Sequence, residues 1–133
     1  MAGYSGTPLP RKLGIKPGSR LLLLRAPADF SIADPSDGVA AHRRPTADPY
    51  DTILLFCRSQ ADVRQGFPAA ARRLTVPGAL WICWPKKASG IQTDLGENDV
   101  RAIGLDAGLV DVKVCAVDEI WSGLKFVRRL ADR

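Results

Sequence analysis

The sequence predicts an α/β protein: a mostly parallel sheet covered by helices on both sides and closed by an antiparallel pair of strands. Three observations carry this. Short unbroken apolar runs recur at Leu21 to Leu24, Ile53 to Phe56 and Leu80 to Trp84, as strands buried on both faces require. Helical patterns separate such runs, which is the signature of a sheet covered by helices. From Val110 onward the period changes to alternation, with Val110, Val112 and Val114 interleaved with Asp111 and Lys113, as in a half-buried strand.

The elements follow in order. Thr7 to Gly14 reads as a short helix, with Thr7 as cap, Pro8 in the first turn and Gly14 as the left-handed exit. Lys16-Pro17-Gly18-Ser19 is a turn. The first strand is Arg20 to Arg25 and the second long run is Asp51 to Cys57. Between them, Ala26 to Asp48 holds three prolines and several aspartates. It reads as loop, with a short edge strand at Gly38 to His42. Ser59 with Asp62 opens a helix that reaches Leu74. Pro68 predicts a kink in it or a split into two. Val76-Pro77-Gly78 reads as the turn into the third run, Ala79 to Trp84. Thr93 caps a helix from Asp94 to Ala107, weakened by Gly96 and Gly104 and ended by Gly108. Ser122-Gly123 reads as the turn before a last strand. That strand places Leu124, Phe126 and Arg128 on one face, and Lys125, Val127 and Arg129 on the other. Residues 1–19 are expected to be an N-terminal arm with a short helix and 20–133 a single domain; Gly3 to Gly6 is flexible in composition, either disordered or a docking arm that Tyr4 would anchor.

Composition bounds the function. The 133 residues suffice for one core, and 46% hydrophobic with 25% charged residues is ordinary for a globular protein. The longest apolar run falls far short of the ~20 residues a membrane span needs. The first residues lack the charged start and apolar block of a signal peptide, so a cytoplasmic location is expected. The net charge of +5 favours an anionic partner. Nucleic acid is not expected, because no aromatics interleave with basic residues and no zinc-finger spacing occurs. Cys57, Cys83 and Cys115 sit singly in apolar runs and read as buried free thiols. Asp118-Glu119 reads as a solvated turn, and no metal site is expected.

Two resemblances follow. Asp51-Thr52-Ile53-Leu54-Leu55 resembles the fourth strand of class I S-adenosylmethionine-dependent methyltransferases. Leu74-Thr75-Val76-Pro77-Gly78-Ala79-Leu80 is similar to the lead into their fifth, and the terminal strands match their sixth and seventh. The implied fold is a three-layer Rossmann-like sandwich, a trimmed methyltransferase-like domain. The whole chain also resembles a small bacterial family without an assigned activity. The residues that carry this are Ala2-Gly3-Tyr4-Ser5-Gly6-Thr7-Pro8-Leu9, Lys12 to Gly18, Trp84 to Gly90 and Trp121-Ser122-Gly123.

The methyltransferase resemblance implies a glycine-rich turn after the first strand and an acidic residue ending the second. Here Arg25-Ala26-Pro27-Ala28-Asp29-Phe30 contains no glycine, and Pro27 removes an amide donor. His42-Arg43-Arg44 is basic where the family is acidic. No cofactor is therefore expected. Arg25, Arg43, Arg44, Arg58, Lys86 and Lys87 fall at or past the carboxyl ends of strands, where ligands of open α/β sheets bind. The amides opening the helix after Thr93 would add anion-binding donors.

The candidate ligand-binding residues are Lys86, Lys87, Ser89, Arg25, Trp84 and Arg58. The lysines supply charge, Ser89 a hydroxyl and Trp84 an apolar wall. Trp81 and Trp84, three apart on one strand, face opposite ways. The expected function is a non-catalytic methyltransferase-like module that binds a protein partner or an anionic small molecule. The alternatives are an enzyme with an unrecognised site at the same basic edge, and a homodimer formed through an exposed sheet edge.

Overall fold

The computed structural model describes residues 7–33, 35 and 37–133; the role expected of Tyr4 lies outside them. Six strands form one sheet: β1 (Arg20–Leu24), β2 (Ala40–His42), β3 (Tyr50–Phe56), β4 (Leu74–Pro85), β5 (Leu109–Ala116) and β6 (Trp121–Arg128). Their spatial order is β2-β1-β3-β4-β6-β5. The pairs β1·β2, β1·β3 and β3·β4 are parallel, and β6 inserts antiparallel between β4 and β5. The strand order reverses between β1 and β3, so the crevice above their carboxyl ends is the position a ligand takes in such sheets. The fold class agrees with the sequence reading.

The apolar runs are doubly buried because each strand feeds two cores. On one face Leu22, Ile53, Leu55, Leu80, Ile82 and Phe126 pack under α2 (Gln60–Arg72) and α3 (Glu97–Asp106). On the other, Leu21, Leu23, Leu54, Phe56, Trp81 and Trp121 are covered by α1 (Leu9–Leu13) and by Phe30 from the loop after β1. This second cover has little helix. It is anchored by the Trp81 indole N–H, which donates to the Leu13 carbonyl at 3.2 Å, and by Gly14, left-handed at φ 75°.

Several local expectations are corrected. Pro8, not Thr7, is the cap residue of α1. Helix α2 runs unbroken through Pro68; Ser59 Oγ accepts from Asp62 N at 3.1 Å, and Asp62 in turn accepts from Arg58 N at 3.0 Å. Val76-Pro77-Gly78 is not a turn but a bulge inside β4. Two steps along β3, Tyr50 to Thr52, match five along β4, Leu74 to Ala79. A Cβ on Gly78 would lie 2.9 Å from Thr75 Oγ1 and 3.1 Å from the Asp51 carbonyl, so the bulge closes only on glycine. Helix α3 starts at Glu97 behind Gly96, whose N–H donates to Asp99 at 2.9 Å. Thr93 and Asp94 instead tie the preceding loop to α2: Thr93 donates to the Arg58 carbonyl at 2.6 Å, and Asp94 accepts from Gln60 N at 2.8 Å.

Ser122 and Gly123 lie within β6. The turn before it is built by Asp118, whose carboxylate accepts from Ile120 N and Trp121 N, both at 2.8 Å. The alternation expected in β5 fails because Val112 sits at a register shift between Asp111 and Lys113 and is 52% exposed. A bulge and a lysine on this outer strand oppose edge-to-edge pairing, as does the three-residue length of β2 at the other edge. Among the described residues no helix is long and apolar enough to cross a membrane.

Gly104 faces the core, not solvent. A Cβ there would meet the Phe126 ring at 2.1 Å, whereas one on Gly66 meets only a flexible Leu55 methyl at 2.9 Å. Phe126 is fully buried against Phe67. Gly104→Ala is therefore expected to destabilise by about 1–3 kcal/mol through overpacking, despite its better helix propensity. Gly66→Ala is expected to cost less, and urea unfolding of the two variants measures the difference.

Candidate functional site

The carboxyl rim of the parallel strands is built by the residues just after β1, β3 and β4. After β1, Arg25 adopts a left-handed backbone with φ 57°, a conformation that favours glycine. Its guanidinium lies 3.6 Å from the Asp62 carboxylate. The chain then folds back over the sheet. Phe30 N donates to the Pro27 carbonyl at 2.9 Å, and the Phe30 ring, 6% exposed, stacks edge-to-face on Phe56 at 4.8 Å. Phe56 stacks in the same way on Trp121 at 5.1 Å, and the Arg58 guanidinium lies 6.0 Å from the Trp121 ring centre. Arg43, just beyond β2, donates to the Pro27 carbonyl at 3.2 Å and to the Phe30 carbonyl. The loop after β1 thus lays its own aromatic side chain on the last residue of β3, beside the strand-order reversal, with a guanidinium fastening the loop that carries it.

The six candidate residues do not converge on one pocket. Arg25 and Arg58 are exposed and flank Asp62. Lys86 is half-buried, and its ammonium donates to the Asp118 carbonyl at 2.5 Å. Ser89 Oγ donates to the Lys86 carbonyl at 2.6 Å and accepts from Ile91 N at 3.1 Å, so its hydroxyl serves a local turn. Lys87 is exposed. Trp84, 6% exposed, packs with Leu95 and Val100 in the core under the helices. Trp81 does face the other way, as its spacing requires. The acids Asp62, Asp94 and Asp118 interleave with the cations of this rim, so its field is mixed rather than uniformly positive.

The thiols are poor nucleophiles. Burial pushes Cys57 up to about 12, against a weaker lowering by Arg25, and Cys83 is raised well above its ordinary value by burial. Cys115 is only half-buried, contrary to expectation; burial raises it, while Lys12, Lys113 and Lys86 pull it down. The single histidine is also committed: His42 Nδ1 lies 2.6 Å from the hydroxyl of fully buried Tyr50. That hydroxyl accepts from Thr46 N at 3.1 Å, and Arg20 stacks over the Tyr50 ring at 4.5 Å. This cluster holds the loop after β2. Sequence reasoning missed it because its members are far from any shared motif.

A second location also escaped the sequence. At the amino end of the parallel strands a cleft of about 450 Å³ opens beside the β4 bulge, lined by Lys16, Ser19, Asp51, Thr52, Thr75 and Lys125 among others. Its residues come from four separate segments, and no local pattern announces them.

Two expectations follow from this geometry. Because Arg25 holds a left-handed backbone, Arg25→Gly is expected to be more stable than Arg25→Ala by about 1 kcal/mol, the reverse of the usual order, in thermal unfolding. The raised Cys57 thiol contributes stability that is whole below its unfolded value of about 9 and lost as pH rises towards about 12. Cys57→Ala is expected to flatten the fall of unfolding free energy over that alkaline range.

No family model matches the chain, and no curated protein matches it. Solved structures do share its fold. A Methanococcus jannaschii fibrillarin pre-rRNA processing protein superposes with a TM-score of 0.61 at 14% identity, over 86% of this chain and 68% of that one. A SAM-dependent methyltransferase from Aquifex aeolicus gives 0.58 at 18% identity, over 87% and 85%. Magnesium protoporphyrin IX methyltransferase from Synechocystis, with bound SAH, gives 0.54 at 12% identity, over 85% and 75%. At such identities the shared property is the fold alone: the chain has a class I methyltransferase-like Rossmann fold.

Proposed function

We propose that this chain is a non-catalytic methyltransferase-like module that acts by binding, with its carboxyl rim docking a protein partner. The observation that carries the reading is the packing of Phe30 on Phe56 beside the crevice above β1 and β3, in a loop fastened through the Arg43 guanidinium on the Pro27 and Phe30 carbonyls. A nucleoside seated there must first displace a buried aromatic ring, at a cost of about 1.5–3 kcal/mol before any contact is made. The available side-chain chemistry favours binding over catalysis as well. The buried thiols are held protonated, and the histidine is engaged by Tyr50 away from the rim.

Arg58 and Lys87 stay exposed on this rim, and Ile120 beside them is 42% exposed. The Ile120 carbonyl accepts from Lys86 N at 2.8 Å, which fixes the apolar side chain next to the cations. An apolar residue set among cations that alternate with acids suits the face of a partner protein better than a small anion.

Thermal unfolding with millimolar S-adenosylmethionine tests the first half of the reading. No rise in midpoint is expected, and a rise of several degrees contradicts it. Arg43→Met, which releases two carbonyls and loosens the loop, is expected to cost about 1–2 kcal/mol of stability. A variant as stable as the parent would mean that the loop does not depend on this clamp. For the partner, Arg58→Ala with Ile120→Ser is expected to abolish co-purification of a discrete protein in pull-downs, and unchanged capture would overturn the assignment of the rim.

A further inference from the structure

The amino-rim cleft holds two lysine side chains whose charge is uncommitted. Lys125 stands on β6 directly opposite Trp81 and next to Lys113 of β5. The sheet thus presents it on the face covered by α1, and its ammonium comes to rest over Gly14, 3.8 Å from where a Cβ would be. Lys16, two residues further along, lines the same cleft. Among the described residues neither the Lys125 ammonium nor the Lys16 ammonium makes a hydrogen bond or an ion pair. The one carboxylate in the lining, Asp51, is already engaged: it accepts from Arg20 N at 2.9 Å and from Thr75 Oγ1 at 3.4 Å. Two lysine heads therefore face one committed carboxylate, with Lys113 adding like charge at the side.

The shape is fixed by backbone, not by mobile side chains. The β4 bulge that opens the gap requires Gly78, and the loop from α1 to β1 that forms the opposite wall turns on left-handed Gly14 and Gly18. The volume, about 450 Å³, falls in the range of small-molecule sites. The Thr52 hydroxyl lines it beside the lysines, whereas those of Ser19 and Thr75 already donate to the Lys16 carbonyl at 2.7 Å and to Asp51 at 3.4 Å and would have to turn to meet an oxyanion.

We propose that this cleft binds a small organic anion bearing a phosphate or carboxylate group, with Lys125 and Lys16 as its charge partners. Burial, then repulsion from Lys113 and Lys16, pushes the Lys125 ammonium below its ordinary value. A bound oxyanion turns that repulsion into attraction, so the unliganded cleft is the state under electrostatic stress. The inference uses the edge opposite the proposed docking rim and does not depend on it.

The test is calorimetric titration of the full chain with inorganic phosphate and with citrate at constant ionic strength, together with amide chemical-shift mapping. Saturable binding is expected for at least one of the two. Lys125→Met should weaken it by about tenfold or more, as loss of a charged hydrogen bond does. Lys125→Arg should keep it within a few-fold, and Lys87→Ala should leave it unchanged. Shifts should centre on Gly14, Ser19 and Thr75. Absence of saturable binding, equal affinity in Lys125→Met, or shifts centred on the carboxyl rim would each overturn the proposal. Should Lys125→Met fail to fold, the shift map of the parent protein decides alone.

Discussion

The two hydrogen bonds from Arg43 to the loop after β1 hold together the less protected half of this molecule. One face of the sheet is covered by α2 and α3. The other must bury Leu21, Leu23, Leu54, Phe56, Trp81 and Trp121 with a five-residue helix and a loop. Loops carry backbone groups that need partners wherever water is excluded, and Arg43 supplies them from a neighbouring strand end. Phe30 then lies on Phe56, and Phe56 on Trp121, as an edge-to-face series along the carboxyl ends of the strands. The loop beside the crevice is the loop that completes the core, and opening it to a ligand would uncover that core.

This dual role divides the molecule's charge. At the carboxyl rim three acids are tied to backbone amides or to an arginine: Asp62 to Arg58 N and Arg25, Asp94 to Gln60 N, Asp118 to Ile120 N and Trp121 N. Cations and acids alternate there, and the surface is structured by its own contacts. At the amino rim the β4 bulge spreads the strands apart, and lysines from three elements gather without matching acids.

The parallel core was legible because doubly buried strands leave an unambiguous apolar run; β1, β3 and the later part of β4 need no tertiary information to be seen. The methyltransferase-like order of strands was legible too. What was hidden depends on register. Val76-Pro77-Gly78 carries every mark of a turn, but the partner strand accommodates it as a bulge. Ser122-Gly123 looks like a turn for the same compositional reason, while Gly123 is there because Trp81 and Val117 lie 3.1 Å from its absent Cβ. Gly104 weakens α3 in propensity, and what the pattern does not show is that it also seats the Phe126 ring. Of the candidate site, the charges were visible but their partners were not. Ser89 and Lys86 are consumed by a local turn and by the Asp118 carbonyl, and Trp84 turned inward. The lysine cleft had no signal, because Lys16 and Lys125 meet only after the bulge and the α1 docking contact have set the geometry.

The segment from Ala26 to Ile32 is packed structure and not an open ligand loop. Amide hydrogen exchange of the unliganded protein measures this most directly at Phe30, whose N–H is bonded to the Pro27 carbonyl beneath the Arg43 guanidinium. Protection approaching that of the β1 amides is the predicted result. Exchange of Phe30 at the rate of an unstructured peptide would show a loop that stands open, and would contradict the account.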